Sequence, residues 1–528
     1  MSQIDAGALH GLLSDPQELA LIDVREEATF SRGHLLWAIC VPLSQLELRI
    51  DSLVPRADVR VVLCDEADGL AERAASRLAE LGYVNTSVLD GGIAAWAAAG
   101  YELFSGVNVP SKAFGEFVEH AYGTPSIDAA ELNGLLESGA DIAVLDSRPI
   151  DEYQLMSIPT GICTPGAELV YRVHEVVPSP DTLVVVNCAG RTRSIIGAQS
   201  LINAQIPNEV VALRNGTMGW HLAGLAVEQG STRPQPDVSQ DAIRVAHERA
   251  MNVAERFKVQ FIDPSELVDL EADKNRTLFL LDVRSPKEFA AGHIPGSSNA
   301  PGGQLVQATD TYVGVKGARI VLYDDTETRA IMTASWLVQM GWKDVFVLRG
   351  GMQNARLEIG PMPRRVLGLE GLEVEMLSAP SLSRLLDDGR ATVIDLSSSR
   401  DFRAGHIDGS RHAVRARLPA FLATLDIKGR LVFTSSDGVL ARLAARDARD
   451  YAEHEPYALM GGNQAWVEAG KNLVAGDSGL EEDPDDVWLR PYEDSQNIEQ
   501  SMRDYLSWEI DLVAQIERDG TAIFRKWE

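Results

Sequence analysis

Cysteine is scarce in this chain of 528 residues: only Cys40, Cys64, Cys163 and Cys188 are present, and no two of them form a Cys-x-x-Cys pair. Four thiols are too few for a disulfide framework. Basic residues are also in the minority, with 48 Lys and Arg against 77 Asp and Glu, a formal charge of -29. That balance argues against a nucleic-acid partner and against an anionic membrane surface. It also means that a site for an anion must gather its positive charge locally. No apolar run approaches the roughly 18 residues of a membrane span. The segment Met1–Asp5 lacks a basic region followed by an apolar core, so no signal peptide is expected and a reducing cytoplasm is the default. No metal-ligand cluster or nucleotide loop stands out, so no cofactor is expected.

A hydrophobic content of 45% and a charged content of 24% are those of a soluble globular protein. The length exceeds what one core can organise and suggests roughly three to five domains.

Internal repetition is the dominant pattern. Leu21-Ile-Asp23-Val-Arg25, Gly33-His34, Val61-Val-Leu-Cys64 and Leu89-Asp-Gly91-Gly92 make a first copy. Val144-Leu-Asp146-Ser-Arg148, Leu183–Cys188 and Leu213-Arg-Asn-Gly216 make a second. Leu281-Asp282-Val-Arg284, Gly292-His-Ile-Pro-Gly296, Val321-Leu-Tyr323 and Leu348-Arg-Gly350-Gly351 make a third. Ile394-Asp395, Gly405-His-Ile-Asp-Gly409, Leu431-Val-Phe-Thr434 and Met460-Gly461-Gly462 make a fourth. The interval from Cys64 to Gly92, Cys188 to Gly216, Tyr323 to Gly351 and Thr434 to Gly462 is 28 residues each time. On this spacing Cys64, Cys188, Tyr323 and Thr434 are expected to be equivalent. Each copy alternates strand patterns with helix patterns, which predicts an α/β fold with a parallel sheet and helices on both faces. The expected units are 1–105, 123–232, 256–362 and 372–476, followed by an acidic linker and C-terminal helix over 477–528. Residues 102–122 read as an ordered linker and Gln240–Phe257 as a helix. Residues 360–375 open with Gly-Pro-Met-Pro. A helical pattern from about Ser495 to Glu517, with Trp508, Ile510, Leu512 and Val513, presents an apolar face to a domain or to a second chain; the latter would make a homodimer.

The stretch with the most chemistry is Leu183–Leu201. An apolar β-branched run leads into Cys188, then Ala189, Gly190, Arg191, Thr192, Arg193 and Ser194, then a helix-compatible segment from Ile195. A thiol beyond the carboxyl end of a parallel strand faces the amides that open the next helix, which favour an anion. Arg191 and Arg193 add charge, and both effects favour a nucleophilic thiolate. The corresponding stretch after Cys64, Asp65-Glu66-Ala67-Asp68, places carboxylates beside a thiol and should do the reverse.

Asp-Val-Arg, Gly-His-Ile-Pro-Gly and Leu-Arg-Gly-Gly, as at Asp282–Gly296 and Leu348–Gly351, taken with a strand that ends in a cysteine loop, resemble the motifs of rhodanese domains. The resemblance covers about nine tenths of the chain, as four tandem domains. It implies a sulfurtransferase: a cysteine takes sulfane sulfur from a donor such as thiosulfate, holds it as a persulfide and passes it to a thiophilic acceptor, cyanide or a thiol. The acceptor thiol could belong to a small molecule or to a protein. The resemblance implies Cys188 as nucleophile, the amides of Ala189 to Ser194 as the sulfur cradle and Arg191 and Arg193 as ligands of donor oxygens, with Asp146 and Arg148 in support. It implies that the third and fourth units, with Tyr323 and Thr434, are inert; the first keeps a cysteine, Cys64, at the family's catalytic position, and the carboxylates beside that thiol argue that it is inert too. Met156-Ser-Ile-Pro-Thr160 replaces a stretch that closes one side of the pocket in the family. Two alternatives remain. One is a non-catalytic persulfide relay or scaffold. The other is a phosphatase or arsenate reductase, which needs five residues between cysteine and arginine where Cys188 and Arg193 have four. Cys163, placed like Cys40 ahead of its copy's end-of-strand residue, is a candidate resolving thiol.

Overall fold

The computed structural model describes residues 2–177, 179–233, 235–353, 355–362, 364–452, 455–493 and 497–528. Each copy builds one five-stranded parallel sheet. In the first, strands Ser2–Ile4, Thr86–Leu89, Arg60–Cys64, Leu19–Asp23 and Ile39–Cys40 lie side by side in that order. The other three sheets repeat the arrangement. The central strands are apolar on both faces because helices cover both, as a parallel sheet requires. Side-chain caps start several of these helices: Asp5 accepts from the amide of Ala8 and Asp128 from that of Glu131, satisfying donors the helix cannot.

The units are not beads on a string. One hydrophobic core runs through the first three, joining Ile22 and Leu63 to Leu145 and Val186 and to Leu281 and Leu322. The fourth unit keeps cores of its own around Phe433 and Val432. The stretch expected as an ordered linker contains the helix Val109–Tyr122, placed at the centre of the molecule. Its Phe114 is fully buried and meets Trp336 of the third unit and Phe524 of the tail. Gly115 lets this helix approach the loop of the second unit, since a Cβ there would lie 2.8 Å from Thr192 Cγ2. The helix Gln240–Phe257 matches its expected span.

The tail forms a helix over Ile498–Asp519; Ser495, its expected start, lies outside the described residues. Its apolar face docks on the same chain. Leu512 and Ile516 pack on Leu36, Phe104, Val109 and Ala113, while Met502 and Leu506 cover Met218. Ile510, expected on that face, points outward and is 48% exposed.

Strand register corrects the equivalence read from the 28-residue interval. Asp23 lies opposite Cys64, Asp282 opposite Tyr323 and Asp395 opposite Thr434, but Asp146 lies opposite Asn187. The carbonyls that face Gly92, Gly216 and Gly462 agree: Ile93 donates to Asp65, Thr217 to Cys188 and Asn463 to Ser435, and Gly351 lies against the carbonyl of Asp324. Cys188 is therefore matched by Asp65, Asp324 and Ser435, and Cys64, Tyr323 and Thr434 each sit one residue earlier, where the second unit has Asn187. The second unit has one extra residue between its loop and Gly216, and this insertion hid the offset.

Candidate active site

Cys188 follows the strand Leu183–Asn187 and precedes the helix Thr192–Asn203. The helix begins three residues before the expected Ile195, so Thr192, Arg193 and Ser194 form its first turn. First-turn amides have no partner within the helix. The carbonyl of Cys188 is fixed by the amide and hydroxyl of Thr217, at 2.8 and 3.1 Å. Gly216 at φ +55 allows that approach, because a Cβ there would fall 2.4 Å from the same oxygen. Asn187 donates to Asp146 and to Thr217. Asp146 in turn holds Arg148, whose guanidinium also reaches the carbonyl of Met156. Asp146 and Arg148 thus brace the strand ends behind the loop. The same Asp–Arg brace recurs at Asp23–Arg25 and Asp282–Arg284.

The three matching loops reveal what this turn is shaped to hold. The carboxylate of Asp65 accepts from the amides of Ala67 and Ala71, at 2.8 and 2.9 Å. Asp324 accepts from the amides of Arg329 and Ala330, and from the Thr326 hydroxyl. Ser435 Oγ accepts from the amides of Gly438 and Ala441. In each loop the first side chain turns back into a nest of amides that includes the sixth residue on. In the second loop the first side chain is a thiol and the sixth residue on is Ser194. Cys188 Sγ lies 3.5 Å from Ser194 Oγ, which itself donates to the Arg191 carbonyl at 2.7 Å.

Both loop arginines are already engaged. Arg191, expected on the donor, instead turns to the central helix, where it pairs with Glu116 and Glu119 and also reaches Asn215. Two carboxylates outweigh its charge, so it ties the loop to the helix. Arg193 makes two bonds to Glu152, at 3.0 and 2.6 Å, and one to Gln304 of the third unit. Burial works against the Glu152 anion, yet Arg193 holds its carboxyl down at about 2. The matching pair Arg329–Glu288 occurs in the third unit, which has no thiol, so this pair is a loop brace in both.

The thiol is 2% exposed, but it borders a cavity of about 330 Å³. Five further parts of the chain complete the walls around the second unit's loop. Glu27 comes from the first unit, Lys112 from the central helix, Gln304 and Tyr312 from the third unit, Arg400 from the fourth, and Arg490 and Tyr492 from the tail. None of these carries a local motif, and the sequence offered no signal for them. Met156–Thr160, expected to close one side, does not border the cavity; Ser157 pairs instead with Glu228.

The other cysteines lie in different surroundings. Burial, then the charge of Asp23, pushes the Cys64 thiol well above its ordinary range. Cys64 is fully buried and donates to the Ile22 carbonyl. Burial likewise raises Cys40, and raises Cys163 to about 12. Cys163 and Asn187 flank Asp146 on opposite sides, about two strand spacings or roughly 10 Å apart. A disulfide needs Cα atoms within about 7 Å, so the geometry does not suit Cys163 to resolve Cys188. Cys163 borders a separate cavity of about 750 Å³ between the second and third units. Among the described residues, no group of three or more His, Cys, Asp or Glu is placed to hold a metal ion. No helix there is long and apolar enough to cross a membrane.

The rhodanese-like domain family matches at residues 5–99, 128–223, 263–357 and 378–469. The chain belongs to the rhodanese family. Its fold matches a crystal structure of a thiosulfate sulfurtransferase from Pseudomonas aeruginosa with a TM-score of 0.97 and 45% identity, over 100% of both chains. One stretch is 31% identical over 87 residues to the thiosulfate sulfurtransferase GlpE of Stutzerimonas stutzeri, covering 16% of this chain and 80% of that protein. Another match, 35% identical over 106 residues, is to an HTH-type transcriptional regulator of Mycobacterium tuberculosis. It covers 20% of this rhodanese and 46% of the regulator, less than half of that protein's length.

Proposed function

We propose that this rhodanese is a thiosulfate sulfurtransferase whose chemistry takes place on Cys188 of the second unit. The thiolate attacks the outer sulfur of thiosulfate. A bond forms between Sγ and that sulfur, the sulfur–sulfur bond of thiosulfate breaks, and its electron pair leaves with sulfite. The resulting persulfide anion lies in the amide nest. An acceptor, cyanide or a thiolate, then attacks the outer sulfur and the Cys188 thiolate returns. Such a double displacement gives ping-pong kinetics.

The observation that carries this reading is the behaviour of the three sister loops. Where they start with Asp65 or Asp324, the same backbone turn binds a carboxylate through its amides. A turn whose amides receive a carboxylate at that point offers the same donors to a sulfur anion placed there. Carboxylate and hydroxyl cannot form a persulfide, so the first, third and fourth units are inert in transfer and serve as walls and supports. The size of the cavity suits a small donor and acceptor. Four free cysteines suit a reducing compartment, the cytoplasm. The four-residue gap between Cys188 and Arg193 favours sulfur over phosphoryl or arsenate chemistry.

Intact-mass measurement after thiosulfate treatment tests the assignment. One sulfur atom is expected on the wild-type chain and on Cys64→Ser, removed by cyanide with release of thiocyanate, and none on Cys188→Ser. Persulfide formation that survives Cys188→Ser would refute it.

A further inference from the structure

If the second unit transfers sulfur from thiosulfate, the donor is a dianion entering a cavity on a chain of charge -29. It needs a cation that no carboxylate has claimed. Arg191 is held by Glu116 and Glu119, and Arg193 by Glu152. Lys112 pairs with Glu509 at 3.2 Å and Arg400 with Glu493 at 2.9 Å. Arg490 differs. It borders the same cavity, it is half-buried, and among the described residues its guanidinium makes no ion pair and no hydrogen bond, although it feels the charges of Glu152 and Glu493 nearby. The carboxylates on the cavity wall are engaged elsewhere: Glu152 with Arg193, and Glu27 with the amide of Trp488.

The backbone that carries Arg490 is fixed from several sides. The carbonyl of Asp485 accepts from the amide of Ala28, and its carboxylate holds Arg417 and the Thr29 hydroxyl. Asp486 accepts from the amide of Ser399, and the amide of Arg490 donates to Glu493. The segment is therefore stapled to the first and fourth units, with its arginine at the cavity of the second.

We propose that Arg490, contributed by the tail beyond the fourth unit, is the donor-binding residue that receives the sulfonate oxygens of thiosulfate and directs the outer sulfur toward Cys188. The inference rests on the sulfurtransferase reading above and adds a residue and a segment to it. A guanidinium matches a planar face of such an oxyanion with two parallel bonds, which an ammonium cannot reproduce fully. The tail is then part of the donor site as well as a support for the fold.

Ping-pong kinetics separates the two half-reactions. With full-length Arg490→Gln, kcat/KM for thiosulfate is expected to fall at least about tenfold while kcat/KM for cyanide stays within about twofold, because cyanide meets an enzyme already charged with sulfur. Arg490→Lys should recover part of the donor term. An unchanged donor kcat/KM in Arg490→Gln would overturn the proposal, and so would equal losses in both half-reactions, the mark of a merely structural role. If the wild-type chain shows no Cys188-dependent turnover, the sulfurtransferase reading itself falls. Normal wild-type turnover with an unaffected Arg490→Gln removes this inference alone.

Discussion

A single side chain separates the second loop from its sisters. Asp65, Cys188, Asp324 and Ser435 occupy one position, and the three oxygen-bearing residues each accept from the loop's own amides. Cys188→Asp should therefore fold, cap its own loop and have no transfer activity. Its thermal midpoint is expected at or above that of the wild type, since hydrogen bonds to a charged group contribute about 1.5–3 kcal/mol each against the cost of burial. Calorimetry beside a thiocyanate assay checks both parts, and a strongly lowered midpoint would contradict the nest. The thiol and its loop were legible in the sequence from Cys188 and the arginines that follow. The matching positions were not, because a one-residue insertion before Gly216 preserved the wrong interval while the backbone followed the right one.

At the scale of elements, the central helix Val109–Tyr122 and the tail helix Ile498–Asp519 decide how the loop is held. The first supplies Glu116 to Arg191, and the second lays Glu509 against Thr192 and Lys112. Leu512 is fully buried between them. Leu512→Ala should cost about 2–5 kcal/mol of tail docking, the usual range for such a truncation. Amide exchange is expected to rise along the tail helix and around 487–492, and thiosulfate turnover to fall with it. Exchange confined to the mutated turn would show that the tail is held by other contacts. The helical period of the tail could be read from its residues, and its docking face in part: Leu512 and Trp508 pack as expected, whereas Ile510 does not. The buried stripe runs through Met502, Leu506, Glu509, Leu512 and Ile516, and it includes a carboxylate because Lys112 faces it.

Across the whole molecule, three units share a core and the fourth is attached by charge. Glu47 of the first unit is fully buried and binds Arg77, Arg415 and Arg446. Burial raises its carboxyl, but Arg415, by hydrogen bond and charge, holds it far below the usual range. A carboxyl depressed by folding stabilises the folded state above its ordinary range, and that stabilisation is lost as pH falls below it. Glu47→Gln leaves the buried Arg415 with Asp447 as its one remaining carboxylate partner among the described residues and should weaken attachment of the fourth unit by about 3 kcal/mol at neutral pH. Limited proteolysis between 360 and 375 would report it, with the gap between variant and wild type closing as pH drops below about 4.5. An equal gap at low pH would show that the charge network is not what joins the units.

The amino-acid sequence by itself determined the repeating α/β unit, its number and the loop that carries the thiol. Strand and helix periods are local, and a turn of amides needs only its own few residues. Tertiary structure alone decided which charges are free. Arg191 met Glu116 and Arg193 met Glu152, through contacts between segments tens to hundreds of residues apart, while the Arg490 guanidinium formed no ion pair among the described residues. Whether a cation can receive an anion depends on its neighbours in space, and no spacing along the chain encodes them.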